Sequence, residues 1–131
     1  MKISIITATW QCADTVGDCL ASMARQTHAD REHIVIDGAS PDGTLAVLEA
    51  HRPQLAALVS EPDSGLYHAL NKGLALATGE VVGFLHADDV YADETVLARI
   101  AAAFADPGEG GAVEAVYGDL DYVSRTDPGR V

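Results

Sequence analysis

Glu80-Val81-Val82-Gly83-Phe84-Leu85-His86-Ala87-Asp88-Asp89 decides the fold of this chain. Its short apolar run reads as a buried strand. The run ends in two adjacent carboxylates. In an open α/β sheet, ligands bind at the carboxyl ends of strands. Two acids at such an end can hold a divalent cation, and the cation can hold a diphosphate. The alternative is that Asp89 merely opens the next turn, but adjacent like charges are costly unless something binds them. His86 can add a nitrogen ligand or serve as an ordinary hydrogen-bonding histidine.

Outward from this strand, the chain alternates between strand and helix patterns. Ile3 to Thr7 is a β-branched run, and His33 to Asp37 is a second buried strand. Leu58-Val59 is a short third strand, and Val81 to Leu85 the fourth. Asp14 is placed to cap a helix in which Val16, Leu20 and Met23 share a face. Asp42-Gly43-Thr44 leads into a second helix carrying Leu45 and Leu48. Leu66 to Thr78 reads as a third, with Gly79 as its C-terminal cap. Asp93 caps a fourth, where Val96, Ile100 and Phe104 repeat at helical spacing and Pro107 ends it. Gly108 to Gly111 reads as a turn, Val113 to Tyr117 as a further strand, and Thr126 to Val131 as loop. A β-α-β-α order predicts an α/β domain, a mainly parallel sheet with helices on both faces.

The 131 residues suit one domain, and 48% apolar content marks a globular chain. A net charge of −12 argues against a nucleic-acid surface. It also disfavours an anionic membrane as a direct partner. Cys12 and Cys19 carry no metal spacing and read as reduced packing residues. Lys2 is followed by only a short apolar run, so no signal peptide is expected, nor any bilayer span. The expected location is cytoplasmic. Because the chain stops soon after a strand, the expectation is a piece of a longer protein.

The residues at the strand ends are the candidate site. Thr7, Ala8, Thr9 and Trp10 follow the first strand, where hydroxyls and backbone can meet a nucleobase beside Trp10, or form an ordinary loop. Asp37 either hydrogen-bonds a base or ribose or caps the next helix. Asp63 either touches a base or is a turn acid. Lys72 either meets phosphate or is a solvated helix lysine. The first strand is not followed by G-x-G-x-x-G, and no G-x-x-x-x-G-K-[ST] is present, so dinucleotide-binding and P-loop sites are excluded. The acidic pair that a receiver domain places after its first strand is replaced by Thr7-Ala8-Thr9. A Ser/His/Asp or Cys/His constellation does not stand out either.

Four stretches, in order, resemble the nucleotide-binding part of family 2 glycosyltransferases of the GT-A fold. They are Ile5 to Trp10, Val35 to Thr44, Ser60 to Gly73, and Gly79 to Asp89. The third is similar to the subgroup tied to colanic-acid and O-antigen assembly, and the last to the strand that ends in a DXD-type motif. The resemblance covers Ile3 to about Tyr122. It departs from the family at Ala8, at Trp10-Gln11 and at His86, which stands first in the DXD-type motif.

The resemblance implies a Rossmann-like GT-A donor-binding domain over residues 1–131, cut short at its C-terminus. It implies an inverting transferase that moves a sugar from a nucleoside-diphosphate sugar, UDP first, to a hydroxyl of a saccharide or lipid-linked acceptor in cell-surface polysaccharide assembly. Thr7, Ala8 and Asp37 would hold base and ribose, Asp63 would sit near the base, and Asp88 would face ribose and metal. Asp89 would coordinate Mg²⁺ or Mn²⁺ on the diphosphate, stabilising the leaving group. The usual carboxylate base lies beyond this chain in the family. Asp119 and Asp121 are assigned to no such role. Contact with the inner membrane face would come through the missing part. The open end allows a homodimer. The rival reading is a non-catalytic nucleotide-sugar-binding module.

Overall fold

The computed structural model describes residues 1–105. Four strands form one parallel sheet: β1 (Ile3–Thr9), β2 (Arg31–Asp37), β3 (Ala57–Ser60) and β4 (Val81–Phe84). The helices are α1 (Val16–Ala24), α2 (Thr44–Ala50), α3 (Leu66–Leu76) and α4 (Val96–Ala105), with a 3₁₀ turn at Arg52–Gln54. The sheet order is β3-β2-β1-β4. The chain therefore builds outward in one direction from β1, then returns to add β4 on the other side of β1. That reversal makes the carboxyl ends of β1 and β4 a topological switch point, where the loops diverge and leave a crevice.

Side chains alternate between the two faces of a strand. Ile3 and Ile5 of β1 pack with Cys19 and Met23 of α1 and Leu97 of α4. Further along the same face, Val35 meets Val16, Leu20 and Leu48, the last from α2. The opposite face carries Ile6, Ile34 and Ile36 against Ala69 of α3. Helices thus cover both faces, and the two central strands are buried on both sides, which is why β1 and β2 read as continuous apolar runs. Helix α3 lies close on β1 because position 73 is glycine. A Cβ there would overlap Ile6 Cγ2.

Two expected caps differ in the structure. Helix α1 begins at Val16 after Thr15, with no side-chain cap, and Asp14 is exposed ahead of it. Helix α3 ends at Leu76, and Ala77 is already extended. Gly79 serves instead as a point of close approach. A Cβ on it would lie 2.6 Å from Ser4 Oγ and 2.8 Å from Lys2 O. Asp93 accepts the Thr95 backbone N–H (2.8 Å) and hydroxyl (2.6 Å) in the turn just before α4, whose Leu97 N–H is taken by Gln26 Oε1 at 3.0 Å. The readings at Pro107, Gly108 to Gly111, Val113 to Tyr117 and Thr126 to Val131 lie outside the described residues, as do Asp119 and Asp121. Among the described residues, no helix is long and apolar enough to cross a membrane.

At the amino ends of the strands, Glu32 fastens the α3–β4 connection. Its Oε2 accepts the Ser4 hydroxyl at 2.6 Å, the Thr78 N–H at 2.7 Å and the Thr78 hydroxyl at 3.0 Å. Lys2 Nζ lies 3.4 Å from Oε1. Burial works against the charge, but these donors outweigh it and lower the carboxyl from 4.5 to about 2. His33, bonded through Nε2 to the Thr7 hydroxyl at 2.8 Å, is held neutral by burial, at about 4. Both shifts make the unfolded state the better proton binder in acid. Stability from neutral His33 is therefore present above pH 6.5 and lost as pH falls toward 4, and stability from Glu32 is lost from 4.5 toward 2. Urea denaturation midpoints across pH 2–7 check this. Glu32→Gln should lag wild type at pH 7 and meet it at the acid end, and a gap independent of pH would contradict the assignment.

Candidate functional site

A cleft of about 400 Å³ opens at the switch point between β1 and β4. Ala8, Trp10, Gln11, Cys12, Asp14 and Thr15 form one wall, and His86, Ala87 and Asp88 the other. Asp88 is exposed and Asp89 half-buried, the Asp89 N–H closing a turn onto His86 O at 3.0 Å. Among the described residues, no three His, Cys, Asp or Glu side chains gather as a metal site. The cleft itself offers one hard carboxylate, Asp88, with Asp89 next in the turn. That set fits a Mg²⁺-like ion, which keeps several waters and binds through one or two carboxylates plus phosphate oxygens.

Next to the cleft, the Trp10 ring is 57% exposed. A Cβ built on Gly38 would lie 3.5 Å from Trp10 Cε3 and 3.4 Å from Asp63 Oδ2. The bare backbone at Gly38, the indole and one carboxylate oxygen thus share a small space.

Asp37 sits beneath this floor, fully buried. The register puts Thr9, Asp37 and Ser60 in one row across β1, β2 and β3. Oδ1 accepts the Thr9 hydroxyl (2.7 Å) and the Ser40 hydroxyl (2.6 Å). Oδ2 accepts the Ser40 N–H (2.9 Å) and the Ser60 hydroxyl (2.8 Å). Burial opposes the charge, yet these four donors hold the carboxyl below its ordinary value. Ser40 Oγ also accepts the Gln11 N–H at 3.1 Å. Gln11 (φ 47°) and Ala39 (φ 63°) both occupy the left-handed region, a strain that the bonds to Asp37 and Ser40 sustain. A second tie runs from the Cys12 N–H to Thr44 Oγ1 at 2.9 Å, and from that hydroxyl to Asp42 at 2.6 Å.

The residues singled out in the sequence are therefore distributed unequally. Ala8 and Asp88 line the cleft, Asp89 follows in the same turn, and Asp63 faces Trp10. The Thr7 side chain is buried and occupied by His33. Lys72 Nζ is taken by Asp63 Oδ1, Glu61 Oε1 (2.9 Å) and Pro62 O (3.3 Å). The residues that sequence reasoning missed are Ser40 and Ser60, with Thr9 as their counterpart, acting as donors to Asp37. Their signal is the hydroxyl at each strand end. Cys12, read as a packing residue, lines the cleft; burial raises its thiol, against the Trp10 backbone and the Thr44 hydroxyl.

Residues 4–128 match Glycosyl transferase family 2. The chain is 40% identical over 120 residues to a PGL/p-HBAD biosynthesis glycosyltransferase of Mycobacterium tuberculosis, an alignment covering 89% of this chain and 46% of that protein. It is 37% identical over 107 residues to an uncharacterized glycosyltransferase of the same species, covering 81% and 41%. The chain thus spans less than half the length of these relatives. Among solved structures it is similar to the mannosyltransferase PcManGT from Pyrobaculum calidifontis, in complex with GDP-Man and Mn²⁺. The TM-score there is 0.75 and the identity 33%, covering 81% of this chain and 33% of that one. TarS of S. aureus with UDP-GlcNAc gives 0.70 and 30%, covering 79% and 31%. The parallel sheet with helices on both faces is the GT-A-like fold of these neighbours. With the match running over nearly its whole length, the chain belongs to glycosyl transferase family 2.

Proposed function

We propose that residues 1–131 are the donor-binding domain of a longer, inverting glycosyltransferase that uses a nucleoside-diphosphate sugar. The observation that carries this reading is the crevice itself, with Asp88 on one wall at the switch point and Trp10 on the other, next to Gly38 and Asp63. Trp10 stacks on the nucleobase and Asp63 accepts a proton donor of its edge. Asp88 and Asp89 hold a Mg²⁺ or Mn²⁺ ion, which when bound neutralises charge on the leaving nucleoside diphosphate. Asp37 acts from below, fixing the loops of Gln11 and Ala39 that bear the base. The acceptor, a saccharide or lipid-linked hydroxyl, and the general base belong to the part of the enzyme outside this chain. Use in colanic-acid or O-antigen type polysaccharide assembly on the cytoplasmic side fits the motif of Ser60 to Gly73.

GDP-Man with Mn²⁺ and UDP-GlcNAc, held by two structural neighbours, support the donor class. Calorimetric titration of UDP, GDP and dTDP, each with and without Mn²⁺, tests it on this chain. Binding of at least one nucleotide, strengthened by Mn²⁺, is expected. Binding of none of them would remove the proposal.

A further inference from the structure

We infer that Gln26 is a positioning residue for the acids after β4, its buried amide pinning the far side of the turn that carries Asp88 and Asp89. The inference rests on the donor-binding reading above, in which those acids hold the ion. Neither carboxylate accepts a hydrogen bond among the described residues. Their places are therefore set by the backbone of residues 85–95 and by whatever holds that backbone. On the near side the anchor is apolar. Leu85 lies in the cluster of Ile3 and Cys19, and Ala87 packs against Val16 and Leu20.

The far side is held by polar groups at the end of α1. Among the described residues, every hydrogen bond from residues 86–95 to an earlier part of the chain goes to Ser22, Gln26 or Thr27. The Tyr91 N–H donates to Ser22 Oγ at 3.1 Å. Asp93 O accepts Gln26 Nε2, and Glu94 O the Thr27 N–H, both at 2.8 Å. Gln26 does the most, because a primary amide has two N–H donors and a carbonyl acceptor. Nε2 also donates to Ser22 O at 3.1 Å, and Oε1 accepts the Leu97 N–H at 3.0 Å. That N–H lies in the first turn of α4, where backbone donors have no partner within the helix. One side chain, 4% exposed, thus ties α1, the loop and α4 at a single point.

An apolar side chain of the same length would strand Asp93 O and the Leu97 N–H. The loop would then open locally, while its apolar near side and the sheet stay formed. An ion binding there would have to reorder the loop, and that ordering subtracts from its affinity. The contacts proposed for the nucleoside come from the loops after β1, β2 and β3, so nucleotide binding without the ion would be spared.

Calorimetry of the nucleoside diphosphate that wild type binds, with and without Mn²⁺, tests this on wild type, Gln26→Met, Ser22→Ala and Ile34→Val. Ile34→Val is the control, trimmed in the cluster on the opposite face of the sheet. In Gln26→Met the gain from Mn²⁺ should shrink about tenfold, with affinity in its absence within about twofold of wild type. Ser22→Ala, which removes the acceptor of Tyr91, should lose roughly threefold of the gain. Ile34→Val should keep it in full. Hydrogen exchange on the metal-free protein supplies a readout that needs no ligand. The Leu97 amide of Gln26→Met should exchange at least roughly tenfold faster relative to the amides of β1. A gain from Mn²⁺ that survives in both Gln26→Met and Ser22→Ala would leave Gln26 a structural residue and overturn the inference, with the donor site standing. A loss as large in Ile34→Val would do the same, as would an equal loss with and without the ion. Should Gln26→Met fail to fold, Ser22→Ala decides alone by whether its gain falls. No gain from Mn²⁺ in wild type would bring down the ion-binding reading and this inference together.

Discussion

Asp37→Ala is expected to lower folding stability by about 3 kcal/mol, the largest effect of any single change near the crevice. The alanine removes a buried charge that accepts four hydrogen bonds. Hydroxyls of Thr9, Ser40 and Ser60 can turn to new partners, but the half-buried Ser40 N–H cannot, and a stranded donor carries a desolvation cost. The same bonds keep Gln11 and Ala39 left-handed, so the two loops proposed to bear the base relax together. Nucleotide affinity should therefore fall at least tenfold, about 1.4 kcal/mol, even where the variant stays folded. Urea denaturation gives the first number and calorimetry in the cold the second. A variant within about 0.5 kcal/mol of wild type, the range of ordinary surface changes, would mean that the row Thr9–Asp37–Ser60 is not what holds the loops.

Asp88→Asn combined with Asp89→Asn is expected to abolish the Mn²⁺-dependent part of nucleotide binding and little else. With Mn²⁺ present, affinity for the nucleoside diphosphate should drop roughly 100-fold, about 2.7 kcal/mol. Without Mn²⁺, variant and wild type should bind alike. The asparagines keep the shape and neutralise both charges, so the ion loses its hard anionic ligands while the turn at His86–Asp89 survives. Asp88 is exposed, so the melting temperature should barely move. If the variant still bound more tightly with Mn²⁺ than without, the ion would have to sit elsewhere. The contrast with Asp37 is diagnostic, since one acid works through the fold and the other two through the ligand.

The sheet was legible because its signals are local. The β-branched runs at Ile3 and His33 and the alternation with helices dictate parallel pairing, and strand limits fall within two residues of those read from sequence. The acids after β4 were legible for the same reason, since two adjacent carboxylates at a strand end announce themselves. What sequence could not give was the partnering of side chains distant in the chain. Asp37 meets Ser60, 23 residues on, only because the register aligns β2 with β3. Thr7 looks available to a ligand until the face it shares with His33 is known. Gly79 and Gly73 are both glycine for want of room, against Ser4 and Ile6, and neither neighbour is near in sequence. Lys72 looked like a loose cation because its three acceptors lie ten or so residues upstream, across a turn whose path the sequence does not reveal.

The return of the chain across β1 has a consequence for how such a protein changes over generations. In the proposed site, the wall that would meet the base is encoded before residue 73, in the loops after β1, β2 and β3, while the acids that would hold the ion are encoded after residue 85, behind β4. The two are joined through the sheet, which is fastened at its far end by Ser4, Glu32 and Thr78, and through Ala87, which packs with Cys12 against Val16 and Leu20. On that proposal, mutation would retune the choice of nucleotide with little effect on the ion, and the reverse. Two properties proposed to act on one ligand would then be inherited as separate texts, and a lineage could exchange donors while keeping its chemistry.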